Sequence, residues 1–189
     1  MKRIVVLGDS LSDGFRLSRD EAYPALIAKK LSAAGLSYEV MNASVSGDTS
    51  AGGLRRLPDY LQTKIDILVL ELGVNDAFRG VGVDQIRANL QAIIDRTRAK
   101  NPNVAIVIVG MNFVTDGSDD YVRAFGEMFG QLATKNNAAL VMSLLEGVGG
   151  NPSLNLPDRV HPNAAGHVIL AKNVWRVLEP VARRVAAKI

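Results

Sequence analysis

The sequence contains no cysteine. Disulfides, thiolate nucleophiles and cysteine-based zinc sites are excluded together. Histidine is almost as scarce. His161 and His167 are the only two, so any histidine-dependent chemistry rests on one of them. No apolar run approaches the ~20 residues that a membrane-spanning helix needs. Basic residues form no dense stripe: 22 Lys and Arg stand against 19 Asp and Glu, a formal charge of +3. They are scattered apart from the pairs Lys29-Lys30, Arg55-Arg56 and Arg183-Arg184. That pattern does not suggest a nucleic-acid partner. Internal repeats, low-complexity segments and linkers are also missing. The first strand begins at residue 2 or 3, which leaves no room for a signal peptide in the chain as given. The expected location is therefore cytoplasmic, with a periplasmic or secreted one open if a leader was removed.

What is present is an ordinary globular composition, 48% hydrophobic and 22% charged over 189 residues. It suits one domain, residues 1–189, with a sizeable core. Apolar strand-like runs recur at Arg3–Leu7, Tyr38–Asn42, Ile65–Leu72, Val104–Val109 and Ala138–Met142. Those at 3–7, 65–72 and 104–109 are rich in Val, Ile and Leu without clean alternation, as strands buried on both faces are. Helical patterns lie between them, over about 20–34, 83–100, 119–136 and 163–187. In the second, Val83, Ile86, Leu90, Ile93, Ile94 and Thr97 recur three or four apart. Alternation of the two patterns predicts a parallel sheet covered by helices on both sides. Ligands of such sheets gather at the C-terminal ends of the strands. The longest irregular stretch, 143–160, is also a candidate for function.

The residues just after the strands are therefore the informative ones. They are Gly8-Asp9-Ser10-Leu11, then Ser44 through Thr49 with Gly47, then Gly73-Val74-Asn75-Asp76, then Met111-Asn112-Phe113. Just before the last helix stands Asp158-Arg159-Val160-His161-Pro162. A serine hydroxyl is a weak nucleophile and needs a neighbouring base. His161 is suited to be that base, and Asp158, three residues earlier, can fold back onto its Nδ1. Acyl transfer also needs donors for a developing oxyanion. The Gly47 N–H, the Asn75 amide and the N–H of Ser10 itself are available. Each of these residues alone reads as a cap or turn residue. Their joint placement at strand ends is what points to chemistry.

The set Gly8-Asp9-Ser10-Leu11, Gly47, Gly73-x-Asn75-Asp76 and Asp158-x-x-His161 resembles the four sequence blocks of the SGNH (GDSL) hydrolase superfamily. It is most similar to the bacterial arylesterase and acyl-CoA thioesterase I/lysophospholipase branch. The resemblance runs from residue 4 to about 180. It implies a flavodoxin-like three-layer α/β/α sandwich with five parallel strands ordered 2-1-3-4-5. It implies Ser10 as nucleophile, His161 as base and Asp158 as its orienter. The oxyanion hole would be the Ser10 and Gly47 N–H groups with the Asn75 side chain. No metal or other cofactor is expected. The substrate would be a small-molecule aryl or acyl ester, or a thioester. One departure is Val74, where many members of the branch carry a second glycine; it is expected to stiffen residues 74–80.

Other residues have plainer readings. Ser12 is the competing serine and is expected to point into the first loop or turn. Asp9 is expected to hold the nucleophile turn by hydrogen bonds, and Ser44, Ser46 and Ser50 are expected turn and cap residues. His167 and Trp175 read as residues of the last helix, Trp175 in the core. Phe78, Met111, Phe113 and Val114 could either line an acyl or aryl pocket or anchor loops. Two competing functions stand beside the esterase: a deacetylase of acetylated sugars with the same triad, and a binding module in which Asp9 and Asp76 hold a phosphate or metal.

Overall fold

In a computed structural model, which describes residues 1–112 and 118–187, five strands form one parallel sheet. They are β1 (Lys2–Gly8), β2 (Tyr38–Asn42), β3 (Ile67–Glu71), β4 (Ala105–Val109) and β5 (Ala139–Val141). Their order is β2-β1-β3-β4-β5, the flavodoxin-like order expected. The register puts Val6 beside Asn42 on one side and Val69 on the other, and Val69 beside Val107. The consequence for the site lies two pairs further along: Gly8, the last residue of β1, lies opposite Glu71, the last of β3. Ile4 to Leu7, Ile67 to Leu70 and Ile106 to Val109 are all buried. Burial on both faces explains why these strands read as unbroken apolar runs.

The helices are α1 (Ser10–Asp13), α2 (Tyr23–Ala33), α3 (Ser50–Tyr60), α4 (Val74–Phe78), α5 (Val83–Lys100), α6 (Asp119–Lys135) and α7 (Ala164–Ala186). α2 packs on α7, and α3 packs on α5, which packs on α6. In α5 the buried residues Ile86, Leu90, Ile93, Ile94 and Thr97 are five of the six that the periodicity marks. α7 buries Leu170, Val174, Leu178 and Val181 on one stripe, with Trp175 half-buried at its edge.

Three helices were not apparent in the sequence. α3 carries Gly52, Gly53 and Pro58, which depress helix propensity. It forms because packing overrides propensity. Gly53 lets the helix sit on Leu72, and a Cβ on Gly52 would strike the Asp48 carboxylate. α1 and α4 are single turns that start directly at strand ends, and each carries a residue of the site. The last strand is also shorter than the apolar run 138–142, because Met142 already points to solvent. No helix among the described residues is long and apolar enough to cross a membrane.

The segment 143–163 closes over the strand ends. Leu144 and Val148 anchor it in the core, a short 3₁₀ turn spans Pro152–Leu154, and Asn155 pairs with Pro162 in an isolated antiparallel bridge. Gly166, in the first turn of α7, sits under this segment. A Cβ there would meet the Leu154 carbonyl oxygen at 2.3 Å and the Pro162 Cβ at 2.8 Å. Gly166→Ala is therefore expected to cost about 1–3 kcal/mol by overpacking. It should lower both the melting temperature and ester turnover, because the displaced segment carries His161. A calorimetric scan and a turnover assay on the same preparation check this.

Candidate active site

The turn after β1 is built around Asp9. Its carboxylate accepts the Leu11 N–H at 3.0 Å and so caps α1. Ser10 begins that helix, and its side chain emerges at the sheet edge. The Ser10 Oγ lies 3.1 Å from His161 Nε2, and His161 Nδ1 lies 2.8 Å from Asp158 Oδ2. Residues 151 positions apart in sequence thus form one hydrogen-bonded row. With Nδ1–H donating to Asp158, Nε2 is free to accept the hydroxyl proton.

The loop that carries His161 is held from within. Asp158 Oδ1 accepts the N–H groups of Val160 and His161, and the His161 carbonyl oxygen accepts the Leu156 N–H. Arg159 sits in the left-handed region, φ 59°. Asn155 and Asn163 tie the two ends of the loop to Val148, Asn151 and Ser153. The backbone N–H of His161, helped by its ring N–H, holds the Asp158 carboxyl down at about 2, against a smaller opposing effect of burial. Asp158 therefore stays ionised throughout the neutral range. Phe15 packs on the His161 ring, centroids 4.3 Å apart. Sequence reasoning missed Phe15; its only signal is a bulky apolar residue directly after the turn that carries Ser10.

Asn75, the second residue of α4, donates to the Asp48 carbonyl oxygen at 2.8 Å and to Asp9 Oδ2 at 3.3 Å. Gly47 adopts φ 81°, a conformation that favours glycine, although a Cβ there would meet nothing within 4 Å. The N–H groups of Ser10 and Gly47 find no protein acceptor among the described residues. The loop around Gly47 is docked on the turn that carries Ser10. Val45 N–H donates to the Gly8 carbonyl, and Ser46 Oγ donates to Asp13. Arg56 reinforces the joint, donating to the carbonyls of Gly8 and Ala43 and pairing with Asp48.

Ser10, Asn75 and His161 line one cleft of about 780 Å³, and Asp158 stands behind His161. Gly47 is not part of that lining; the carbonyl of the next residue, Asp48, accepts from Asn75. The apolar part of the lining is Leu11, Val74, Phe78, Met111, Leu145 and Val160. Phe78 and Met111 are thus on the cleft wall, while Phe113 and Val114 lie outside the described residues. Val74 is buried at the start of α4 and contributes to the same wall.

Ser12 does not face the cleft. It is fully buried, with Oγ 2.7 Å from both Glu71 Oε2 and the Tyr23 hydroxyl. It lies under the turn, deeper than a loop position, because one helical step of two residues turns its side chain to the opposite side from Ser10. Asp76 is likewise committed: it accepts both the N–H and the hydroxyl of Ser50. With Asp9 capping α1, neither carboxylate of the phosphate- or metal-binding reading is free. No group of three or more acidic or histidine side chains among the described residues is placed to hold a metal.

The model of the GDSL-like lipase/acylhydrolase family matches residues 6–169. The chain belongs to this family. Among curated relatives, the esterase TesA of Pseudomonas aeruginosa is 38% identical over 179 residues, 94% of this chain and 88% of the relative. The Escherichia coli K12 protein named thioesterase 1/protease 1/lysophospholipase L1 is 32% identical over 179 residues, 94% of this chain and 84% of the relative. A crystal structure of TesA matches the fold with a TM-score of 0.90 at 38% identity, over 95% of this chain and 99% of that one. Like other GDSL acylhydrolases, this chain is an ester hydrolase.

His167 has a structural place. It is 1% exposed, and its Nδ1 accepts the Tyr23 N–H at 3.1 Å, which joins α7 to the start of α2. Burial lowers it to about 4 from 6.5, against a weak opposing pull from Glu21. The unfolded chain therefore takes up a proton near pH 6.5 that the folded chain resists. The stability contributed by neutral His167 is complete above pH 6.5 and is lost as pH falls toward about 4. His167→Gln, whose amide oxygen can accept the same N–H, should flatten the fall of melting temperature across that window. The difference corresponds to up to about 3 kcal/mol.

Proposed function

We propose that the chain hydrolyses carboxylic esters of aryl or acyl type, and thioesters, through an acyl-enzyme on Ser10. The single observation that carries this reading is the row Ser10 Oγ, His161 Nε2, His161 Nδ1, Asp158 Oδ2, with spacings of 3.1 and 2.8 Å. His161 takes the hydroxyl proton as Ser10 Oγ attacks the carbonyl carbon. The carbonyl oxygen becomes an oxyanion. Its donors are the Ser10 and Gly47 N–H groups and the Asn75 amide, whose longer bond, to Asp9, is the one that yields. Ionised Asp158 stabilises the imidazolium. His161 then gives its proton to the leaving alcohol or thiol, and the C–O or C–S bond breaks. Water, deprotonated by His161, attacks the acyl-enzyme and releases the acid and free Ser10.

The apolar wall of the cleft supports an aryl or acyl chain over a sugar as the bound group, since a glycan needs polar partners along its length. The deacetylase reading keeps the same triad and differs only in this pocket. A panel of p-nitrophenyl esters of rising chain length, run beside acetylated xylose, separates the two. Turnover is expected to favour the aryl esters, and a preference for the sugar ester would sink the aryl and acyl assignment.

A fluorophosphonate probe followed by peptide mapping is expected to label Ser10. Ser10→Ala should lose labelling and turnover and keep its melting temperature. Ser12→Ala should keep labelling and melt lower by about 1–3 kcal/mol, because buried Glu71 and Tyr23 lose a partner. The opposite pattern would reassign the nucleophile. Asp158→Asn should lower kcat by about 10³–10⁴, the scale at which the wrong histidine tautomer acts in serine hydrolases.

A further inference from the structure

In the mechanism proposed above, His161 gives its proton to the departing oxygen or sulfur. A general acid must lie within hydrogen-bond reach of the atom it protonates, so the leaving group departs on the His161 side of the cleft. The acyl chain is left the apolar wall of Val74, Phe78, Met111 and Leu145.

Two arginines stand on the His161 side, and no step of the mechanism uses them. Arg159, two residues before His161, lines the cleft, and no lysine, carboxylate or second arginine among the described residues does so. Arg16 lies outside that lining. Its guanidinium carbon is 5.1 Å from the centroid of the Phe15 ring, the ring that packs on His161. Both arginines are exposed. Neither guanidinium has an ion-pair partner or a hydrogen-bond acceptor among the described residues. The carboxylates nearest to them along the chain are bonded elsewhere. Asp13 accepts the N–H and hydroxyl of Ser46, and Asp158 accepts the His161 ring and two backbone N–H groups.

The backbone singles out the same two residues. Among the described residues, three that are not glycine adopt the left-handed region: Arg16 at φ 61°, Arg159 at φ 59° and Asn137 at φ 47°. Asparagine tolerates that region, and glycine would occupy either arginine position freely. A long cation is held there at a conformational cost, as residues at ligand-contacting sites often are.

We propose that Arg16 and Arg159 form an anion subsite on the leaving-group side of the cleft, and that the preferred substrates are esters or thioesters whose leaving group carries a phosphate. A guanidinium presents a fork of N–H donors that matches the oxygens of a phosphate. Two such forks on separate loops suit a phosphate on a flexible chain, away from the carbon that Ser10 attacks. The arginines are specificity-determining residues and take no part in proton transfer. The phosphate can belong to a glycerophospholipid headgroup or to a nucleotide-bearing thiol. The subsite rests on the esterase mechanism, which fixes the side of the leaving group, and adds what that group carries.

Two matched pairs of substrates test it. Butanoyl-coenzyme A is run beside the butanoyl thioester of N-acetylcysteamine, which has the same thioester and no phosphate. A short-chain 1-acylglycerol 3-phosphate is run beside the 1-acylglycerol. The readout is the ratio of kcat/KM for the phosphate-bearing member to that for its neutral partner, which cancels any general disturbance of the His161 loop. Arg16→Asn and Arg159→Asn remove the charge and keep a residue type that accepts the left-handed backbone. Each should lower the ratio by about three- to fivefold, chiefly through KM, as an exposed ion pair does. Raising the salt from about 0.02 M to about 0.3 M should lower it in the unmodified chain and leave the double variant unmoved. A response in one pair supports the subsite and names the source of the phosphate. A ratio that neither variant moves in either pair would overturn it. Calorimetric binding of the two phosphate-bearing substrates to the Ser10→Ala protein repeats the comparison without turnover. Weaker binding in the arginine variants would uphold the subsite even if Ser10 fails to label, a failure that would count against the esterase mechanism alone. Binding indifferent to both arginines would overturn the subsite whatever Ser10 does.

Discussion

Strand β1 runs between β2 and β3, and the site hangs from the point where it stops. Hydrogen bonds on both sides and apolar packing on both faces hold the strand in register up to its last residue, Gly8, which lies opposite Glu71. The chain must then turn out of the sheet within one residue. Asp9 makes that turn possible by capping the helix that begins at Ser10. The same geometry turns the Ser10 hydroxyl toward the cleft and the Ser12 hydroxyl into the core. A strand buried less completely could slide, and the serine would lose its fixed distance to His161.

The second half of the site comes from the far end of the chain and is held by different means. There is no strand under His161. Its loop is built from side-chain-to-backbone hydrogen bonds by Asn155, Asp158 and Asn163, and from a backbone contortion at Arg159. Non-glycine residues in the left-handed region are costly, on the order of 1–3 kcal/mol, and persist where the surroundings over-determine them. Here two adjacent N–H groups on Asp158 do so, and they also keep that carboxylate ionised. Backbone shape and electrostatics are thus set by one residue.

The site has two layers. The row of Asp158, His161 and Ser10 borders the cleft, where it can meet a substrate. Below it Glu71, Ser12, Tyr23 and Asp9 form a buried polar layer with no opening. Hydrogen bonds from Asp9 N–H and the Ser12 hydroxyl to Glu71 Oε2 hold this layer in one arrangement, while Glu71 Oε1 meets no donor among the described residues. Acyl transfer depends on that rigidity, since the oxyanion donors must be in place before the charge appears.

Much of this was legible in the residues alone. The buried strands, the periodic helix 83–100 and the clustering of Gly8-Asp9-Ser10, Asn75 and Asp158–His161 at strand ends follow from patterns of period and position. They do so because burial and capping impose short-range rules on residue type. α3 was not legible, because its glycines and proline deny it a helical signature and its packing on α5 supplies what propensity lacks. Ser12 and Glu71 were not legible either. Nothing local distinguishes a serine that faces solvent from one turned to the core, or a glutamate at a strand end from a surface one. The register of β1 against β3 decides both, by setting Glu71 opposite Gly8. The sequence by itself determined the fold class and the residues able to do the chemistry. Tertiary structure decided which of them meet, because hydrogen-bond geometry between residues 151 positions apart exists only once the sheet has ordered both ends of the chain.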